Sequence, residues 1–261
     1  MISLSPTDLV MASALVALDA GVSIALRLRL HRQLLWAAAR MVVQLIAVGF
    51  ILRFIFALSN PLATLAVVLV MGAIATREIA ARPVRKFKGL AGLTISGATV
   101  ALATLVTAIL ALTTAIRPHP WYDPRYAVSL VGIILGSVLN AGSLTLDGVV
   151  GGVWRERTAI EARLGLGVAF RAATRPLQRE AIRRGLLPII NQMSAAGLIT
   201  LPGIMTGQII AGMDPLEAVK YQILLMFLLA GASGVAALSI AELALRRLSD
   251  TRQRLRLDRL R

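Results

Sequence analysis

Cysteine is absent from the chain. Disulfides, thiolate metal centres and cysteine nucleophiles are therefore excluded, and the redox compartment stays open. Histidine is scarce. His31 and His119 fall in loops on opposite sides of the apolar segments, and no His-Glu-x-x-His or paired-histidine pattern occurs. A Gly-x-x-x-x-Gly-Lys-Ser/Thr loop is also missing, so the chain lacks that device for cradling nucleotide phosphates and no catalytic residues are assigned. Acid is short as well, with 13 Asp plus Glu against 28 Lys plus Arg. Polar surface is scarcest of all: 57% of residues are hydrophobic and mean hydropathy is +0.77, too apolar for a soluble domain of this length to cover itself. The composition is that of a polytopic membrane protein.

Seven apolar segments, each near the roughly 20 residues a bilayer core requires, are read at about 8–26, 34–57, 62–80, 90–116, 125–150, 187–212 and 217–245. The expectation is an all-α, polytopic helical membrane protein of about seven transmembrane helices, forming one transmembrane domain over 1–261. Arg27, Arg29, His31 and Arg32 follow the first segment and only Asp8 precedes it, so positive-inside bias places the N-terminus outside and the C-terminus inside. With that choice, 22 of the 28 basic residues fall in predicted inside regions, including a loop at about 151–186 and a tail at about 246–261. The predicted outside turns at 59–61, 117–124 and 213–215 carry almost none. Trp36, Trp121 and Trp154 sit at predicted span ends, where amphipathic rings prefer to lie. Charge so placed meets anionic membrane lipid and cytoplasmic partners, not nucleic acid. No cleavable signal peptide is expected, and the location is the cell's inner (plasma) membrane, multi-pass.

Several spans carry groups a passive anchor would not. The 187–212 segment holds Asn191, Gln192, Thr206 and Gln208, is bent by Pro202, and contains a Gly203-x-x-x-Gly207 pair. A polar group in hydrocarbon costs free energy unless the protein satisfies it, so this span reads as a pathway or a moving joint. In the fifth span Gly132, Gly136, Asn140, Ser143 and Asp147 share one helix face, which is either a packing seam or a pathway lining. Arg40 and Gln44 share a face of the second span, where Arg40 pairs with carbonyls, snorkels or binds substrate. No firm metal site is read. A metal would pass through weak ligands: Asn140, Asp147, Asn191, Gln208 or the thioethers of Met193 and Met205.

The loop at 151–186 carries Ile160, Leu164, Val168 and Ala172 at spacings of four, giving an amphipathic helix outside the membrane, interrupted near Gly165 and Gly167. Alone, such a helix could simply lie on lipid. Its sequence Glu161-Ala-Arg-Leu-Gly-Leu-Gly167, followed by Leu187-Pro188, resembles the cytoplasmic loop of ATP-binding cassette permeases. Arg40-Met-Val-Val-Gln44-Leu-Ile-Ala-Val-Gly49, the block Leu201-Pro-Gly-Ile-Met-Thr-Gly207-Gln208-Ile-Ile-Ala-Gly212-Met-Asp214-Pro215, and Ala218-Val-Lys220-Tyr221-Gln222 are similar to permease subunits of the FetB type, a family with plant members linked to aluminium tolerance. The chain departs from that family at Ser137-Val138-Leu139. The resemblance implies a homodimeric permease for iron export, paired with separate ATPase subunits that use the ATP, this chain binding no cofactor. It also implies that Glu161, Ala162, Gly167 and Pro188 mark the ATPase coupling region. Two other readings stand beside it: a non-transporting scaffold or sensor, and a permease of the same class for a non-metal solute.

Overall fold

The computed structural model describes residues 5–58, 60–111 and 123–261, with the backbone alone described at Pro6 and Ala57. The predicted end of the fourth span beyond residue 111, most of the 117–124 loop, His119 and Trp121 lie outside those residues. The chain forms two compact units, Met1–Ser59 and Asn60–Arg261.

The first unit is a helical hairpin of α1 (Pro6–Ala25) and α2 (His31–Leu58). A capping box opens α1: the Ser5 hydroxyl accepts from the Asp8 amide, and the Ser5 amide donates to Asp8 Oδ2 at 2.8 Å. That exchange satisfies two amides that a helix start leaves open. The turn into α2 is held by buried Ser23, whose hydroxyl accepts from the Leu30 amide at 3.0 Å.

The second unit holds α3 (Pro61–Ala81), α4 (Ala91–Leu110), α5 (Pro124–Arg155), α6 (Arg157–Gly165), α7 (Phe170–Ala195), α8 (Gly203–Ile210) and α9 (Pro215–Arg247). Three of these helices start in the same way. Asn60, Asp123 and Asp214 each accept from an amide of the first turn, at 2.8, 2.9 and 2.9 Å, and proline follows in every case. Proline at the first helical position gives up an amide that has no partner there anyway and presets φ. The expected outside turns are thus helix-start signals, and α3, α5 and α9 all begin at one end of the bundle. α5 lies at its centre, packed by α3, α4, α7 and α9, and its Ile134, Val138, Leu146, Val149 and Val153 are essentially inaccessible.

The opposite end gathers arginine. Asp147 on α5 accepts from the Val84 amide at 3.1 Å, and the Arg85 guanidinium lies 3.5 Å from the centre of the Trp154 ring. The last residues return to the same place: the Lys86 amide donates to the Arg261 carbonyl at 3.1 Å, the Arg261 amide donates back at 2.8 Å, and Phe87 and Leu260 are buried. The α3–α4 loop, the 155–184 region and the 246–261 tail therefore share one end. That is the clustering the charge pattern requires of an inside face, and the tail is a packed strap rather than a free extension.

Among the described residues, six helices are long and apolar enough to cross a membrane: α1 to α5 and α9. The expected span at 187–212 differs. Its first part is the end of α7, residues 196–202 are not helical, and the remainder is α8. α7 runs antiparallel to α9, since Arg171 near its start pairs with Glu242 near the end of α9. α8 joins α9 through a short turn and packs on it, so α7 and α8 run the same way along that helix. The segment from 187 to 210 is thus two collinear helical pieces broken in the middle, with about 12–14 Å of helix on each side at 1.5 Å per residue.

Candidate functional site

The break is local in origin. Gly197 adopts φ +89°, a conformation that favours glycine, and its amide donates to the Thr200 carbonyl at 2.9 Å. The Ile199 and Thr200 amides both return to the Ala195 carbonyl at 3.0 Å, closing a tight loop. Pro202 then starts α8. The amides of Leu198 and Leu201 find no acceptor among the described residues, and the side chains of Leu198, Ile199 and Leu201 project outward. Irregular backbone at membrane depth is tolerated only where protein covers it or a water-filled cavity solvates it. Within the second unit, no described protein covers the loop.

The polar residues singled out from the sequence fall in three places. On α5, Gly136, Asn140 and Asp147 are exposed along one stripe, while Ser143 is buried and its hydroxyl lacks a partner. On the outer surface of α7, Asn191 and Gln192 are exposed just before the break. Met205 and Gln208 on α8 are half-buried, and the Gln208 amide oxygen is enclosed without a hydrogen bond. No hydrogen bond joins any two of these seven side chains. Depth relates them instead. A Cβ added at Gly152, Gly148 or Gly185 would press on Leu177, Ala181 or Thr145, which fixes the antiparallel register of α5 against α7. By that register Asn140 and Gly136 lie within about a turn of the depth of Asn191 and Gln192. Asp147 stands apart, near the arginine-rich end, where it tethers the α3–α4 loop. Arg40 and Gln44 are exposed on α2, in the first unit.

Sequence reasoning missed a second polar set. The hydroxyls of Ser96, Thr99 and Thr104 on α4 and Thr145 on α5, with the Gln222 amide oxygen on α9, are enclosed and lack partners. Their signal was the spacing of Ser96, Thr99 and Thr107 along the buried face of an otherwise apolar helix.

Of the residues that the resemblance marks for coupling, Glu161, Ala162 and Gly167 lie outside the apolar segments and Pro188 within one. Glu156 breaks α5 from α6, and Ile160 and Leu164 hold α6 against the core. Its other face presents Glu161 and Ala162, and Leu166 at its tip is 84% exposed. Gly167, at φ +85°, then turns the chain into α7. The period of four ends there: Val168 and Ala172 are exposed because the turn resets the register. Pro188, at the start of the apolar span read at 187–212, lies within α7, two turns before the break.

The tail closes over this joint. The Gln253 side-chain oxygen accepts from the Phe170 amide at 2.8 Å, capping a helix start that has no cap of its own. Asp250 accepts from the amides of Arg252 and Arg254 at 3.0 and 2.8 Å, and mainly the Arg254 amide holds its carboxyl below the usual range. Asp258 makes two 2.8 Å contacts with the Arg256 guanidinium, which lower its pKa to about 2. A depressed carboxyl stabilises the fold above its ordinary value, so this contribution persists through mildly acidic pH and fades only as pH falls from about 4 toward 2.

Residues 6–249 match the uncharacterised protein family UPF0014. The chain belongs to that family. It is 38% identical over 229 residues to the UPF0014 membrane protein slr1647 of Synechocystis sp., covering 87% of each chain. It is 31% identical to the protein ALUMINUM SENSITIVE 3 of Arabidopsis thaliana, over 87% of this chain and 81% of that one. To the probable iron export permease protein FetB of Escherichia coli it is 30% identical, over 95% and 93%. No solved structure matches. Like other UPF0014 members, this is a multi-pass membrane protein.

Proposed function

We propose that this UPF0014 chain is the permease subunit of an ATP-driven exporter in the plasma membrane, with iron or a similar metal cation as cargo. The observation that carries the reading is the helical segment broken at 196–202, whose unsatisfied amides and apolar tips face outward from the second unit. A second copy laid along α5 and the break would cover that loop and bring the Asn140, Asn191 and Gln192 level of each protomer to a shared seam. Amides at such a seam offer oxygen ligands that are weak and multiple, which favours passage over retention. The Gln208 oxygen, already desolvated, supplies another once α8 moves.

ATP hydrolysis belongs in this account to a separate ATPase, which docks on the Glu161–Leu166 face of α6. Closure of the ATPase pair pulls α6. Through Gly167 the pull reaches α7, a continuous helix that ends at the break, so displacement at the docking face reaches the seam along one rigid element. The reading is supported by the FetB and ALUMINUM SENSITIVE 3 relationships and by the exposed apolar tip of α6.

Asn140→Leu and Gln208→Leu test the pathway. Each removes an amide with little change in volume, so folded protein should remain at wild-type levels while metal efflux from loaded cells falls at least about tenfold, the effect of about 1.4 kcal/mol on a rate. Unchanged efflux in both at matched membrane levels would remove the seam from the account and leave those side chains as helix packing.

A further inference from the structure

The arginine-rich end contains a cavity of about 830 Å³ that the transport reading does not use. It lies between the start of α7, the last turns of α9 and the C-terminal strap. Arg171 enters it from α7, Arg246 from α9, and Arg252, Arg254, Arg256 and Arg259 from the strap, against two carboxylates, Glu242 and Asp250.

Those carboxylates do not neutralise the cavity; they position its walls. Glu242 pairs with both Arg171 and Arg246. Asp250 contacts Arg254 at 2.9 Å and Arg256 at 3.9 Å. The Arg259 guanidinium is held by the carbonyls of Arg247 and Ser249. Asp258 takes two donors of Arg256; Arg171, Arg246 and Arg254 have one carboxylate partner each, which leaves several of their five N–H donors directed elsewhere. Among the described residues, the Arg252 side chain makes no hydrogen bond or ion pair. The first residues of α7 also line the cavity, so the positive end of that helix adds to its potential.

We propose that this cavity is a binding site for a phosphate-bearing anion. Planar guanidinium forks converging from three elements suit a tetrahedral oxyanion, whose oxygens can each meet a different fork, better than they suit a flat carboxylate. Fixing the forks beforehand lowers the ordering cost of binding. Depth indicates a source. Glu242, Leu245 and Arg246 are in the last turns of an apolar crossing helix, so the cavity opens at the level where phospholipid headgroups lie. A soluble phosphate ester reaches the same site from the water side. In either case the ligand bridges the strap, α7 and α9, and so bears on the joint that α6 hangs from.

The test uses the full chain in a neutral detergent, titrated separately with phosphatidylglycerol, zwitterionic phosphatidylcholine and inorganic pyrophosphate, with bound molecules counted by native mass spectrometry. Phosphatidylglycerol or pyrophosphate should be retained in preference to phosphatidylcholine, near one per chain. Arg252→Glu, which breaks no internal side-chain bond, should weaken retention at least about tenfold. Arg179→Glu makes the same charge change at an exposed position on α7 outside the cavity, and retention should be unaffected. Phosphatidylglycerol that pyrophosphate cannot displace assigns the site to a headgroup, and ready displacement assigns it to a soluble phosphate. Equal losses in the two variants would reduce the cavity to diffuse basic surface. Retention of neither anion, with loss of a co-purifying ATPase from Arg252→Glu alone, would give the cavity to an acidic protein segment; either result overturns the proposal.

Discussion

Gly185→Val should be the most damaging single substitution in the second unit. A Cβ at this position would overlap Thr145 Oγ1 outright and lie 2.9 Å from the Ala141 carbonyl oxygen. Both atoms belong to α5, so relief requires the two helices to separate. Separation also undoes the neighbouring contacts, Gly148 on Ala181 and Gly152 on Leu177, because all three lie on one seam. Small residues let crossing helices approach closely in membranes, and filling such a seam costs packing along its whole length. The cost should reach the upper end of the about 1–3 kcal/mol typical of overpacking, which lowers the melting temperature by roughly 6–12 °C. Gly136→Val is the control. Nothing lies within 4 Å of a Cβ there, so the protomer should melt as wild type, and any loss should appear in self-association. Thermal unfolding in detergent checks both. Equal melting temperatures for Gly185→Val and wild type would mean that α5 and α7 do not meet as described.

The second large effect concerns the proposed docking face. Glu161→Lys reverses the charge presented outward by α6, and Leu166→Asp places a charge on its exposed apolar tip. Neither touches the core, which Ile160 and Leu164 anchor from the other face, so insertion and stability of the chain should be unchanged. Like-charge or charge-on-apolar contacts at a docking surface cost several kcal/mol, enough to weaken association with an ATPase by at least about 100-fold. Affinity pulldown of that subunit at matched expression reads the result. Full retention by both variants would leave α6 as a helix lying on lipid.

Much of this organisation was legible in the sequence because lipid imposes so few options. A run of about 20 apolar residues has to become a helix whatever its neighbours do, and proline after Asn60, Asp123 and Asp214 marked the starts. Arginine placement told which ends lie together. The break at 196–202 was only half legible. Pro202 and the Gly203/Gly207 pair indicated a bent span, but the loop depends on Gly197 at positive φ and on two amides sharing one carbonyl, and neither leaves a periodic trace. Pro188 opens the apolar span at 187–212, and the structure shows that α7 continues through it, because proline inside a helix is tolerated where neighbouring packing holds the turn. Asn140, Ser143 and Asp147 looked equivalent on one face. The structure separates them into an exposed amide, a buried hydroxyl and a loop tether, since a helical wheel gives direction but not what a neighbouring helix covers. The strap was read as a basic tail because its anchors, Leu260 beside Phe87 and Gln253 on the start of α7, are long-range contacts.

The central claim is that this chain moves a metal cation outward using ATP spent by another subunit. The most direct measurement co-reconstitutes the purified chain with a candidate Walker-motif ATPase from the same organism, in proteoliposomes loaded with ferrous iron at the face that carries the α6 surface. Addition of Mg-ATP at that face should drive iron across the membrane, and a hydrolysis-deficient ATPase should abolish the movement. Stable binding of the ATPase with no ATP-dependent movement of iron would contradict the claim and leave the chain a membrane scaffold.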